Sequence, residues 1–177
     1  MRGKNVYVLA ILIFACLNLN AQTSGTSFKK YAIGNSGSFI YCPVDPGTFD
    51  VTKSDDESDV YTAEFIYNDY NWAIITVNFK EKLNSNKEEN AQLLIDYLKF
   101  LEEQFGIIES AGYLDDLIHQ GNPEATGVSD QWIDATDVHY SVFGWIDNNK
   151  LAVLLIYGAT EYNDESKMDQ FFNGFVF

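Results

Sequence analysis

Apolar side chains recur at intervals of three and four residues between positions 85 and 106, and this spacing predicts one long amphipathic helix. The apolar stripe consists of Ala91, Leu94, Ile95, Leu98, Leu101 and Phe105, widened by Leu93, Tyr97 and Phe100. Ser85 and Glu88 fit a capping box at its start, and Gly106 fits a left-handed stop at its end. A helix this apolar on one side needs a sheet beneath it.

Alternating segments on both sides of this helix predict the sheet. Residues 61–67 and 73–79 alternate between apolar and polar or smaller side chains around a four-residue turn at 68–71, which is the pattern of an antiparallel hairpin. Residues 138–146 and 151–157 flank a turn sequence and predict a second hairpin. Because 151–157 is apolar at every position, it is expected to be a central strand covered on both faces.

Shorter elements complete the prediction. Residues 28–33 and 38–42 are expected to form strands, and a short strand is possible near 49–52. Residues 107–131 allow either a short helix or strand pairing. A last helix is expected after a cap at Asn163 or Asp164.

The order of these elements indicates the fold class. Runs of strands separated by a helix, without strict β-α-β alternation, favour an α+β fold. The expected architecture is an antiparallel sheet packed against the long helix and the C-terminal helix, as a sandwich of two or three layers.

This order of elements is similar to that of the Mog1/PsbP family. The resemblance is carried by an apolar strand at 39–43, a hairpin at 61–79, the helix at 85–105, a hairpin at 144–157 and a closing helix and tail at 168–177. It implies a scaffold for accessory and binding roles, without shared catalytic residues. The basic surfaces that some members use have no counterpart here.

The N-terminus has the pattern of a secretory signal at residues 1–21. Arg2 and Lys4 form a basic start, and the apolar run at 6–17 is shorter than the ~20 residues that span a bilayer. Cleavage near Ala21 and Gln22 predicts a secreted or periplasmic protein without a transmembrane segment.

Such cleavage leaves a flexible lead-in at 22–27 and a single α+β domain at 28–177. Two alternatives stay open for the N-terminal segment. It could form a buried strand or helix, or it could be a lipoprotein signal with the anchor at Cys16, where the preceding residues loosely resemble a lipobox.

Charge narrows the range of functions. Removal of Arg2 and Lys4 lowers the number of cationic side chains from 11 to 9 against 26 acidic ones, which gives a net charge of −17 and leaves no arginine. Arginine supplies the bidentate fork that recognises phosphate and guanine. Binding to nucleic acid, phosphoryl transfer and adhesion to anionic lipid are therefore not expected, whereas a cation or a basic partner fits the charge.

The reactive side chains form no recognised catalytic or metal-binding motif. Cys42 lies in an apolar run and is expected to be a buried, inert thiol. His119 and His139 are twenty residues apart and show no metal-ligand spacing. Ser36 lies in a glycine-rich turn that lacks the strand–turn–helix context of a nucleophile elbow. No catalytic residue, metal ligand or cofactor is predicted.

Two acidic clusters are candidate sites for cations. The run at 55–59 has the alternation of an oxygen-ligand loop but lacks the glycine and the bidentate glutamate of a calcium-binding loop. Its acids are Asp55, Asp56, Glu57 and Asp59. A second cluster contains Asp130, Asp134 and Asp137. A solvated loop is the expectation for both.

Four aromatic residues are candidate ligand contacts: Tyr70, Trp72, Trp132 and Trp145. Aromatic rings without nearby cations can stack on sugars or peptides. Tyr70 and Trp72 are placed near the tip of the first hairpin, whereas core packing is the competing role for Trp145.

The sequence thus favours an exported, non-enzymatic binding or accessory protein whose partner is an unknown protein, peptide or glycan. One alternative is an extracellular hydrolase that uses paired carboxylates, which the sequence cannot rank among 26 acids. Another is a calcium-stabilised surface module.

Overall fold

A computed structural model describes residues 27–177, so the predicted signal at 1–21 and the alternative anchor at Cys16 lie outside the described part. In chain order, the elements are β1 Lys29–Ala32, β2 Phe39–Cys42, β3 Asp50–Lys53, β4 Asp59–Tyr67, β5 Tyr70–Asn78, α1 Lys87–Phe105, β6 Ile107–Ser110, β7 Leu114–Ile118, β8 Thr126–Asp134, β9 His139–Ile146, β10 Lys150–Gly158, α2 Glu165–Phe172 and β11 Phe175–Val176.

Eight strands form one large sheet around β10. Its order is β3-β4-β5-β10-β9-β8-β6, and β7 also pairs with β8. All of these pairings are antiparallel. Residues 151–156 of β10 are at most 2% exposed, which confirms the prediction of a central strand covered on both faces.

The two faces of this sheet are covered by different layers. On one face α1 buries Leu94, Leu98 and Leu101 against the sheet. On the other face lie α2 and a three-stranded sheet in the order β1-β2-β11, which bury Phe171 and Phe175. The α+β prediction is confirmed, with three layers.

The start of α1 differs from the prediction by one residue. Asn86, not Ser85, is the N-cap: its side chain accepts from Glu89 N at 2.9 Å, and the Glu89 carboxylate accepts from Asn86 N. The Ser85 hydroxyl is instead used in contacts with Asn90 and Asn148. Gly106 ends the helix with φ 66°, as predicted.

One further prediction needs correction, because the geometry of the turn overrides the local pattern. The first hairpin turns over two residues, Asn68 and Asp69, both with positive φ. Strand β5 therefore begins at Tyr70 and Trp72 is a strand residue. Of the two possibilities left open for 107–131, strand pairing is the one observed, because β6 and β7 both pair with β8.

A glycine allows α1 to approach the sheet closely. A Cβ added at Gly144 on β9 would lie 2.6 Å from Leu94 Cδ1, which is closer than real contacts allow. The missing side chain at Gly144 and the buried Leu94 side chain therefore form one complementary contact between helix and sheet.

This contact predicts a non-additive pair of substitutions. Gly144→Ala should destabilise the domain by about 1–3 kcal/mol through overpacking, and Leu94→Ala by about 2–5 kcal/mol through cavity formation. The double variant should lose less than the sum, because the smaller side chain makes room for the new methyl group. Urea unfolding followed by circular dichroism measures all three. Leu101→Ala, two turns further along α1, is the control and should add independently to Gly144→Ala.

Candidate functional site

The structure buries three of the four predicted aromatic contacts. Trp72 and Trp145 lie in the core beneath the small sheet, and Trp132 lies in the core beneath α1. Tyr70 is half-buried, and its hydroxyl is 2.7 Å from Thr160 Oγ1. The four rings are thus divided between the two faces of the large sheet and do not form one surface.

Each buried indole also has its hydrogen-bond donor satisfied inside the protein. The Nε1 group of Trp72 donates to Tyr67 O at 3.3 Å, and that of Trp145 donates to Phe172 O at 2.7 Å. The Nε1 group of Trp132 donates to Asp130 Oδ2 at 2.8 Å. Stacking of a ligand on these indoles would require the cores to open.

The structure shows another aromatic set that the sequence did not reveal, on the α1 face of the sheet. Tyr140 on β9 donates its hydroxyl to Asp134 Oδ2 at 3.0 Å, and Tyr157 on β10 donates to Glu64. Burial and the bond to Asp134 raise the pKa of Tyr140. Aromatic hydroxyl groups thus take the place of cations as partners for carboxylates.

The ring faces of this set are occupied by one another. Tyr140 stacks on Tyr157 with 4.9 Å between ring centroids and on Phe105 with 5.9 Å. The stacked faces are therefore not open to a sugar ring.

Three of the four acidic side chains in the candidate cation loop at 55–59 have partners within the protein. Asp56 accepts from the hydroxyls of Ser54 and Ser58, Glu57 pairs with Lys80, and Asp59 pairs with Lys53. Within residues 27–177, no group of three or more histidine, cysteine or acidic side chains is arranged to hold a metal ion.

The cysteine and one of the two histidines considered in the sequence are buried in the protein. Burial raises the pKa of the Cys42 thiol, which keeps it protonated. His119 is buried: its Nδ1 accepts from Gly121 N, so its Nε2 carries the proton and donates to Phe175 O at 2.8 Å. His139 is partly exposed and lies 4.0 Å from Asp137.

None of the described carboxyl groups with a resolved pKa shift is a candidate general acid. The pKa shifts that are resolved, at Asp56, Glu57, Asp134 and Asp164, are all downward. A general acid in a hydrolase needs the opposite shift.

The outer edge of the large sheet is the surface that is open to a partner. Strands β6 and β7 follow one another along the same side of β8, and no described strand pairs with their outer side. Ile108, Leu114 and Ile118 lie on this edge and are 65%, 62% and 72% exposed. They are half of the six large apolar side chains that are exposed in residues 27–177.

Among charged side chains, the segment of the chain that forms this edge carries only negative ones. Between Lys99 and Lys150 the chain has ten acidic residues and neither lysine nor arginine. Glu109 and Asp115 are exposed on β6 and β7 themselves. This cation-free stretch, together with its isolated apolar residues, was the sequence signal that could have identified the edge.

The opposite edge of the sheet is better protected. Strand β3 exposes one large apolar side chain, Val51, and carries Lys53, which is paired with Asp59. A lysine on an edge strand discourages further pairing. The β6–β7 edge lacks this protection, although it consists of two short strands, each of which is interrupted by a register shift.

Comparison with known proteins assigns the fold. No protein-family model and no curated protein matches the sequence. The solution structure of cyanobacterial PsbP (CyanoP) from Synechocystis sp. PCC 6803 matches with a TM-score of 0.50 and 15% identity, over 91% of this chain and 99% of that chain. The chain has a PsbP-like fold.

The PsbP-like fold confirms the architecture implied by the family resemblance in the sequence. At 15% identity the likeness shows the fold alone, so function must be argued from the surface. Neither helix of the described region is long and apolar enough to cross a bilayer.

Asp134, which holds the turn between β8 and β9, predicts a pH-dependent stability. Burial raises the pKa of Asp134, but hydrogen bonds from Val138 N, Thr136 and Tyr140 bring it below its ordinary value. The ionised group therefore stabilises the fold fully above the unfolded pKa of about 3.9, and this stabilisation is lost as the pH falls through the lower folded pKa.

Asp134→Ala should accordingly cost about 1 kcal/mol near neutral pH, and the gap to wild type should close as the pH falls below about 4. Denaturant titrations across this pH range measure the gap. Asp137→Asn is the matched control, since it removes a neighbouring exposed charge and tolerates the local φ of 65°. A gap that is independent of pH would contradict this role for Asp134.

Proposed function

We propose that this chain is an exported, non-catalytic accessory domain that binds an extended, basic segment of a partner protein along the β6–β7 edge. Export is proposed from the signal-like pattern at residues 1–21. The accessory role is consistent with the PsbP-like fold.

The observation that carries the proposal is an open strand edge that exposes apolar side chains and whose own charged residues are all acidic. An extended peptide can add to such an edge through main-chain hydrogen bonds, while its side chains meet those of the edge strand. Ile108, Leu114 and Ile118 offer contacts for apolar residues. Glu109 and Asp115 offer contacts for lysine or arginine.

A second copy of this chain is not expected to bind at the β6–β7 edge for two reasons: charge and strand length. Each copy has a net charge of −15, or −17 after removal of the signal, and the same edges would bring like charges together. The register shifts also limit any added strand to a few residues. A short cationic segment of a different protein fits both restrictions.

Fluorescence anisotropy with a labelled peptide of alternating lysine and valine tests the proposal. Wild type should bind this peptide and should not bind the matched peptide of alternating glutamate and valine. Ile118→Lys should weaken binding at least about tenfold, because it removes an apolar contact and places a cation on the edge. Val51→Lys makes the same change in net charge on the β3 edge and should have little effect.

The outcomes distinguish binding at the β6–β7 edge from non-specific attraction of the peptide by the net negative charge. Equal losses for Ile118→Lys and Val51→Lys would show that net charge alone attracts the peptide, and this result would overturn the proposal. The absence of binding to the lysine–valine peptide at low salt would overturn it as well, since surface attraction is strongest there.

A further inference from the structure

A polar cleft lies at the end of the molecule where α1 begins. Its volume is about 340 Å³, which is at the lower end of the range for ligand sites, about 300–1,000 Å³. Three chain segments form it: residues 82–90 at the start of α1, the turn between β9 and β10, and the loop that precedes β8. Five asparagines line it, and we call it the asparagine cleft: Asn86, Asn90, Asn122, Asn148 and Asn149.

The walls of the asparagine cleft are fixed by internal hydrogen bonds. Asn90 is 2% exposed, and its Nδ2 donates to Asn148 Oδ1 at 3.2 Å. Asp147 is 9% exposed: its Oδ2 accepts from Asn122 Nδ2 at 3.0 Å and its Oδ1 from Asn149 N at 2.7 Å. Leu83 N donates to Asn148 O at 2.7 Å and ties the chain before α1 to the same turn.

Several amide groups of the cleft keep hydrogen-bonding capacity for a ligand. Among the described residues, the Asn148 Nδ2 group and the Asn149 side chain donate no hydrogen bond to protein, and both line the cleft. A primary amide presents two donors and an acceptor, so neighbouring amides can bind both the hydrogen and the oxygen of a hydroxyl group.

Charge in the cleft is balanced. Lys82 and Lys87 are offset by Glu124 and Asp147. The start of α1 is not available to an anion, because Asn86 already accepts from the helix amide of Glu89 and the first turn carries its own carboxylates. An uncharged ligand therefore fits better than a phosphate or a carboxylate.

We propose that the asparagine cleft binds a small, neutral, polyhydroxylated ligand of the size of one hexose residue. The ligand would be held by the open amides of Asn148 and Asn149 against the fixed walls at Asn90 and Asp147. Each hydrogen bond to the ligand replaces one to water, so binding of a free monosaccharide should be weak, with a Kd of about a millimolar. This site is independent of the β6–β7 edge, and its test does not use that surface.

Proton–nitrogen correlation spectra of the 15N-labelled protein, titrated with glucose, galactose and N-acetylglucosamine, test the site. At least one sugar should shift the side-chain amide signals of Asn148 and Asn149 with saturation. Asn149→Ala and Asn148→Asp should each weaken that binding by about two- to tenfold. Asn84→Ala, an exposed asparagine just outside the cleft, should leave it unchanged. The spectra themselves report whether each variant is folded.

Two results would overturn the proposal that the asparagine cleft binds a neutral sugar. One is the absence of saturable shifts at the cleft amides with all three sugars. The other is tighter binding of glucose 1-phosphate or glucuronic acid than of glucose, which would mean that the cleft selects anions. Binding of a sugar with equal affinity by wild type, Asn149→Ala and Asn148→Asp would place the ligand elsewhere and would also reject the proposal.

Discussion

Burial of β10 on both faces is the constraint on which the rest of this structure depends. Leu151, Val153 and Leu155 face the α1 layer, and Ala152, Leu154 and Ile156 face the small sheet and α2. Such a strand is stable only if both layers are in place, because each face would otherwise expose a row of apolar side chains. The three layers are therefore coupled through one strand.

Because both faces of the central strands are covered, the candidate binding sites lie at the edges and ends of the large sheet. Both faces of the central strands are used in packing, and the rings of Tyr140 and Tyr157 stack on each other. What is left are the strand edges and the ends of the sheet. The β6–β7 edge lies where strand pairing stops, and the asparagine cleft lies where β9 turns into β10.

Scarcity of cations shapes how the acidic side chains are held. Several carboxylates have hydroxyl, indole or backbone donors as partners, as at Asp56, Asp130 and Asp134. These neutral donors fix the carboxylates without cancelling their charge. The surface consequently stays strongly negative, which suits a cationic partner and leaves the balanced charge of the cleft as a local exception.

Periodicity was sufficient to predict α1, both hairpins and the central strand, because each contains enough residues for its apolar face to be recognised. Periodicity was less informative about the exact ends of elements and about short strands. Asn86 and Ser85 both fit a cap, and a shift of one residue is invisible to the pattern. Trp72 was misplaced because a two-residue turn lengthened β5. The β6–β7 edge was missed because its strands are short and are defined by pairing with the distant β8.

Native-state hydrogen exchange tests the central role of β10 most directly. If the strand couples the three layers, the amides of residues 151–156 should exchange only through global unfolding, with protection equal to the full free energy of unfolding. The amides of β3 and of β6 and β7 should exchange much faster through local opening. Exchange in β10 as fast as in these edge strands, or protection well below the global stability, would contradict the account.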